Sequence, residues 1–453
     1  MDFGFEGFDT AGFDIELEDL QIKRVGKFDR GWRITEGGSI AHTTFHSGVV
    51  YFGSCDKHVY AVDCETGQEE WRYKTGGIIT AMPTIEDDVV YVGSHDGKFY
   101  AIDIKTGKEI WKFNSGNNIF AGSTVCGGKA FFGNRSGYFY CLESKTGKEI
   151  WRFKTGGEII SHSSVDGKKL FFGSFDGNFY CLNAEDGREL WRFKAGDLIH
   201  TDTPPLIHQK RIHFASFDGN LYCLDIETGK EIWRFRTGKY GSSASPIIYK
   251  DVIYHGSRDG IFYAISREGK ELWRFKTEGI LEGQCMIHNG LIYLSSEDGN
   301  MYCLDFNGNE MWRFRAAGPL YSTPIVFRNR IYIGSWDCHL YALTMSGEEV
   351  WRFSTSSMTP AHIPPAHEAF KIEIKKAFNA ETLNEEDRYK RKHETHVSLS
   401  DYHVKSDYAT TSDYKQKSDY DAHWVMFGEV FTDEPEIFCG VLGKSEALKI
   451  GKA

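Results

Sequence analysis

The chain has 453 residues, 41% hydrophobic and 15% aromatic, which is enough apolar material for a large core. Its 53 Lys and Arg against 64 Asp and Glu leave a formal charge of −11, arguing against a general phosphate-binding surface and so against nucleic acid as a partner. No stretch approaches the roughly 18 consecutive apolar residues of a membrane helix, and MDFGFEGFDTAGFDIELEDL has neither the basic nor the apolar region of a secretory signal, so a cytoplasmic protein without a membrane span is expected.

Residues 1–22 hold seven acidic side chains and no basic one, with Phe3, Phe5, Phe8 and Phe13 set among glycines. That composition suits a disordered arm, or a linear docking peptide whose phenylalanines anchor in a basic, apolar groove of a partner protein. Trp32, in RGWRITEGG, then introduces a pattern that recurs. Trp71, Trp111, Trp151, Trp191, Trp233, Trp273, Trp312 and Trp351 are spaced by 40, 40, 40, 42, 40, 39 and 39 residues, the signature of a repeat architecture of eight units.

Within one unit, AMPTIED, VVYVGS, GKFYAID and KEIWKFN are four short runs of β-branched and aromatic residues, separated by Asp-Asp, Asp-Gly and Thr-Gly turn signals. Eight such four-stranded units must stack face to face and close, which predicts an all-β, eight-bladed propeller over residues 23–359. Trp32 is a ninth candidate fourth strand; either it or the Trp351 segment completes the ring, or it adds to the last blade's edge. In the fourth strand Glu stands two residues before every repeat Trp and Arg or Lys one residue after. A period of two puts Trp and that Glu on one face and the cation on the other. Cys141, Cys181, Cys223 and Cys303 share one position with Ala61, Ala101, Ala264 and Ala342, a small buried slot for a reduced thiol.

GSHDGKFYAIDIKTGKEIW, Gly93 to Trp111, resembles the pyrroloquinoline-quinone-type propeller repeat with its tryptophan docking motif, and the resemblance covers residues 38–355. It implies the fold more than the role, because similar repeats serve quinone-dependent dehydrogenases, the propeller of outer-membrane assembly, and sensor or scaffold modules. The dehydrogenases imply a Ca²⁺ site, a catalytic Asp and, in the alcohol-oxidising members, adjacent cysteines. No two cysteines are adjacent here, and Cys-x-x-Cys, His-Glu-x-x-His and Gly-x-Ser-x-Gly are all missing from the sequence.

Function is expected where near-identical units differ. Aligned on the Gly-Ser that ends the second strand, the first-strand segments place His42, Met82, Gly122, His162, Pro204, Ser245, Gln284 and Thr323 at one position, and Ile40, Thr80, Phe120, Ile160, Asp202, Ser243, Glu282 and Tyr321 two residues earlier. His42, His162, Asp202, Glu282, Gln284 and Tyr321 are the candidate small-ligand site at the channel mouth. A second variable ring lies in the hairpin between the second and third strands: Cys55, His95, Arg135, Phe175, Phe217, Arg258, Glu297 and Trp336. Its aromatic and arginine content suggests an exposed protein-binding rim, or rings folded back on neighbouring hairpins.

Residues 360–453 form an extension in which Ser-Asp-Tyr recurs every six residues at Tyr402, Tyr408, Tyr414 and Tyr420. On an extended chain those tyrosines share one face, giving a strand for a partner to pair with, or a spacer. HWVMFGEVF and EIFCGVL are apolar enough to pack on the propeller or another subunit. The expected role is a non-enzymatic scaffold for protein partners, with no cofactor or metal and with docking through rim and tails. The alternative is a quinone- or small-ligand-binding propeller using the channel mouth.

Overall fold

The computed structural model describes residues 40–355, and every described strand belongs to one of eight four-stranded antiparallel sheets. The all-β, eight-bladed propeller predicted from the repeat is the fold observed. Each sheet uses four strands consecutive in sequence, giving blades 1 to 8 at residues 40–74, 84–114, 124–154, 164–194, 206–236, 247–276, 286–315 and 325–354. No helix among the described residues is long and apolar enough to cross a membrane.

The second and third strands, such as Val89–Gly93 and Lys98–Asp103, are buried over nearly their whole length. They read as continuous apolar runs because a neighbouring blade covers each face. Phe99 stacks on Phe132 of the next blade at 4.3 Å, Phe139 on Phe172 at 4.1 Å and Phe179 on Phe214 at 3.9 Å. The first strands are innermost and are tied blade to blade through hydroxyls: Thr44 Oγ1 donates to the Pro83 carbonyl (2.5 Å), Thr84 to Ser123 (2.7 Å), Thr124 to Ser163 (2.7 Å) and Ser164 to Pro205 (2.6 Å).

Each repeat tryptophan lies against the glycine in the turn between the third and fourth strands of the following blade. A Cβ on Gly107 would come within 2.7 Å of the Trp71 ring, and one on Gly187 within 2.7 Å of Trp151. The turn glycine is therefore required twice, for its positive φ and for the indole above it. The indole nitrogens of Trp71, Trp111, Trp151, Trp191, Trp233 and Trp273 donate to carbonyls of the next blade at 2.8–3.3 Å. Blade 8 closes onto blade 1 in the same manner, with Trp351 over Gly67. There the Cys64 carbonyl accepts from Tyr332 (3.0 Å) and Arg330 (3.3 Å), and the Trp351 nitrogen is buried without a partner. Both end blades have their own four strands, so the ring closes with the Trp351 strand; Trp32 lies outside the described residues.

One sequence expectation is corrected on the outer strand. In all eight blades the register between third and fourth strands shifts just before the tryptophan, as between Ala61↔Trp71 and Val62↔Glu69. This bulge inserts one residue and reverses the alternation, moving the Glu from the Trp face to the face of the following cation. Arg72 then reaches Glu69 (2.7 Å), Lys112 reaches Glu109 (3.0 Å) and Arg352 reaches Glu349 (2.6 Å). Arg72 also lies over the Tyr60 ring at 5.4 Å. The bulged residue itself faces solvent. In seven blades it is aliphatic, Ile110, Ile150, Leu190, Ile232, Leu272, Met311 and Val350, each 40–53% exposed.

The hairpin aspartates do more than turn the chain. Asp337 accepts from the Tyr341 hydroxyl (2.7 Å), the His339 amide (3.1 Å) and the amides of Ala317 and Gly318 (3.1 and 3.2 Å) in the segment entering blade 8. Asp96, Asp176 and Asp218 tie their hairpins to the entering segment in the same way. Asp337→Ala would leave these buried donors unmatched, and a loss of about 2–4 kcal/mol in unfolding free energy is expected by urea denaturation at pH 7.

Candidate functional site

The segments entering the blades and the hairpins between second and third strands meet at one end of the channel. The backbone dictates it: the amides of His95, Arg135, Phe175, Phe217, Arg258, Glu297 and Trp336 donate to Ile78, Asn118, Glu158, Leu198, Gly241, Ile280 and Pro319 at 2.9–3.2 Å. Each variable hairpin residue is thus held beside a variable entering segment, and the two rings seen in the sequence interlock. Of the two readings the sequence left open for this ring, an exposed rim or aromatics folded back, the packing favours the second. Phe217 is buried, and Phe175 and Trp336 are half-buried, because the rings lie against the entering segments: Phe175 and Phe217 against His200 at 6.3 and 6.4 Å, and Trp336 against Tyr321.

The same straps correct the alignment of the entering segments. Ile79, Ile119, Ile159, Ile199, Leu281 and Leu320 donate equivalent amide bonds to the preceding blade, and Ile40 does so to Ser335. The residues that follow, Ala41, Thr80, Phe120, Ile160, His200, Ser243, Glu282 and Tyr321, are the true structural ring. His200 replaces Asp202, and Ala41 replaces Ile40. Blade 5 carries two extra residues, visible as the 42-residue spacing from Trp191 to Trp233, and they fall in this segment. Asp202 consequently projects beyond the ring position and reaches a blade three places away.

There the Tyr321 hydroxyl donates to Asp202 Oδ2, while Asp202 Oδ1 lies 2.9 Å from His200 Nε2. Burial pushes the Asp202 carboxyl up, but His200, His42 and the Tyr321 hydroxyl outweigh it and hold it at about 2. Tyr321 is pushed far above the usual phenol range by burial and by the Asp202 and Glu282 carboxylates. Its ring stacks on Trp336 at 5.5 Å and meets the His42 ring edge-on at 5.5 Å. Arg258 pairs with Glu282 at 2.5 Å and lies over Phe217 at 5.1 Å. Burial works against the guanidinium charge, yet Glu282, Glu297 and Asp202 keep Arg258 above its ordinary range.

His42 and His162 are buried, with His42 Nδ1 and His162 Nε2 lacking partners, and burial holds the His162 imidazole down at about 4 and lowers His42. The His162 amide donates to Thr201 (2.7 Å), and a Cβ on Gly122 would strike its ring at 2.4 Å. Gln284 is used differently: its amide donates to the carbonyls of Ser245 (3.4 Å) and Pro246 (3.2 Å), bracing blade 6 against blade 7. His95 and Arg135 form a separate group around Phe120. His95 lies against that ring, tilted by 34° with centroids 3.9 Å apart and Nε2 2.8 Å from Thr80 Oγ1, and Arg135 lies over it at 5.4 Å while pairing with Glu158 at 2.9 Å. Phe3, Phe5, Phe8, Phe13, Tyr402, Tyr408, Tyr414 and Tyr420 lie outside the described residues. Sequence reasoning missed His200, whose only signal was the unequal repeat spacing. Among the described residues no group of three or more His, Cys, Asp or Glu is arranged to hold a metal ion.

Eight identical four-stranded blades with an indole at every joint define a propeller of the pyrroloquinoline-quinone-repeat class. Residues 129–380, more than half of the chain, match the family profile described as "Beta-alanine-activating enzyme, beta-propeller", and the chain belongs to that propeller family. Residues 23–128 match the profile of outer membrane protein assembly factor BamB. Among solved structures, BamB from Moraxella catarrhalis is similar at 21% identity and a TM-score of 0.58, covering 70% of this chain and 98% of its own. The computationally designed Ika8 protein is similar at 17% identity and a TM-score of 0.61, covering 68% and 97%. At these identities the likeness is one of fold. No curated protein sequence matches the chain.

Proposed function

We propose that this chain is a non-enzymatic scaffold that binds protein partners on the circumference of the propeller, in the cytoplasm. The observation that carries the reading is the belt of Ile110, Ile150, Leu190, Ile232, Leu272, Met311 and Val350, displayed on the outer strand of seven consecutive blades. Exposed aliphatics at one repeated position, each flanked by a Glu–Arg or Glu–Lys pair, present apolar contact with a polar border, as interaction surfaces do. The match to a profile named for an assembly factor supports the same reading.

The test is retention of partners from cell extract by the full chain and by the triple variant Ile150→Glu, Leu190→Glu and Ile232→Glu. These substitutions are on the surface and leave the core intact. A partner retained at micromolar concentration by the parent and weakened at least about tenfold, or 1.4 kcal/mol, by the variant is the expected outcome. Equal retention by both, or none by either, would remove the support for a scaffold.

A further inference from the structure

The belt carries charge as well as apolar surface, and the charge is uneven round the ring. In blades 2 to 6 an exposed cation stands two residues before the exposed aliphatic: Lys108, Lys148, Arg188, Lys230 and Lys270. The glutamate between them is already engaged by the cation that follows the tryptophan, Glu109 by Lys112, Glu149 by Arg152, Glu189 by Arg192, Glu231 by Arg234 and Glu271 by Arg274. Each of these five blades is left with one positive charge beside its aliphatic. Blades 7 and 8 have Asn309 and Glu348 at the cation's position, and blade 1 has Gln68 there and Glu70 in place of the aliphatic. A band of five blades is therefore both apolar and positive, on a chain whose formal charge is −11.

The matching occupant is apolar and acidic. The chain holds such a segment near its end. Residues 419–442 contain Asp419, Asp421, Glu429, Asp433, Glu434 and Glu436, no lysine or arginine, and the apolar runs HWVMFGEVF and EIFCGVL.

We propose that residues 419–442 dock on the band of blades 2 to 6 in the same molecule and compete there with partners. This rests on the reading of the belt as the binding surface and adds its regulation. The chain leaves the propeller from the outer strand of blade 8, Glu349–Ser354, which carries Val350 of the belt. Between Thr355 and Asp419 lie 63 residues. A coil of that length spans about 40–48 Å, which brings blade 6, two places from the exit, within reach. Tethering supplies the segment at roughly millimolar effective concentration, so a modest intrinsic affinity suffices.

The experiment is fluorescence anisotropy of a labelled peptide of residues 419–442, titrated with the full chain and with the full-chain tail variant Trp424→Asp, Phe427→Asp and Phe431→Asp. Disabling the chain's own tail frees the band, so the tail variant is expected to bind the peptide at least about tenfold more tightly than the parent. Adding Lys148→Glu, Arg188→Glu and Lys230→Glu to the tail variant is expected to weaken the peptide at least about tenfold. A peptide of residues 1–22, which is also acidic but carries its phenylalanines among glycines, is the control for charge alone and is expected to bind at least about tenfold more weakly. A peptide that does not bind the tail variant, binds parent and tail variant equally, withstands the charge reversal or is matched by the control would overturn the proposal. Self-association of the parent in sedimentation, lost in the tail variant, would place the segment on a second copy and overturn it too. If the peptide is silent while Ile150→Glu, Leu190→Glu and Ile232→Glu still abolish retention of a partner from extract, this inference falls and the scaffold reading stands.

Discussion

Trp151→Ala is expected to lower the unfolding free energy by about 3–5 kcal/mol, the range for truncating a large buried aromatic. Trp151 is buried between blades 3 and 4, with Phe131 and Phe139 at 6.0 and 6.4 Å, the Gly187 turn beneath its ring, and its nitrogen bonded to the Ala184 carbonyl at 3.2 Å. Alanine leaves a cavity that the turn cannot fill, since Gly187 carries no side chain and the turn is held by its own hairpin bonds. Trp151→Phe keeps most of the apolar contact and loses the hydrogen bond, so a loss of about 1 kcal/mol is expected from that term. Urea denaturation separates the two variants: the midpoint should fall in both, with an unchanged slope. If alanine costs no more than phenylalanine, the indole is not what couples adjacent blades.

The fold was legible because its determinants are local and repeated. Trp, Asp-Gly and Thr-Gly recur at fixed offsets, and each forces a strand, a hairpin or a tight turn without help from distant residues. The site was legible only in outline, because its determinants are departures from the repeat. Counting back from a common Gly-Ser put Asp202 in the ring; two extra residues in blade 5 and one fewer in blade 1 made that count fail, and His200 holds the position. The outer-strand bulge was invisible for a related reason. Alternation in GKEIWRFK looks continuous, and only pairing with the third strand shows that Ile150 is squeezed out and Glu149 has changed face. The sequence left open whether the hairpin aromatics form an exposed rim or fold back, because nothing local indicates that their amides are tied to the entering segments, against which Phe217 and Trp336 pack.

A second large effect is expected at His255, and it is stabilising. This residue pairs across the sheet with Tyr263, at the position occupied by Phe52, Val92, Phe132, Phe172, Phe214, Leu294 and Ile333 in the other blades. It is buried, neither ring nitrogen has a partner, and burial drives the imidazole down to about 3. The folded state therefore stays unprotonated here while the unfolded chain takes up a proton near 6.5, so stability falls as pH drops from about 6.5 toward 3. Each unit of pH in that window costs about 1.4 kcal/mol for such a group. His255→Phe restores the repeat residue and removes both the unmatched nitrogens and this proton. A gain of about 1–3 kcal/mol is expected at pH 8, from relief of the unmatched polar group, widening by about 2 kcal/mol at pH 5. His162 and His213, held down at about 4 and about 3 by burial, keep the parent's acid sensitivity from vanishing in the variant. Denaturant melts of both proteins across pH 5–8 decide the matter: a gain that does not widen toward acid would mean that His255 is protonated in the fold, with water or a neighbour carrying its charge.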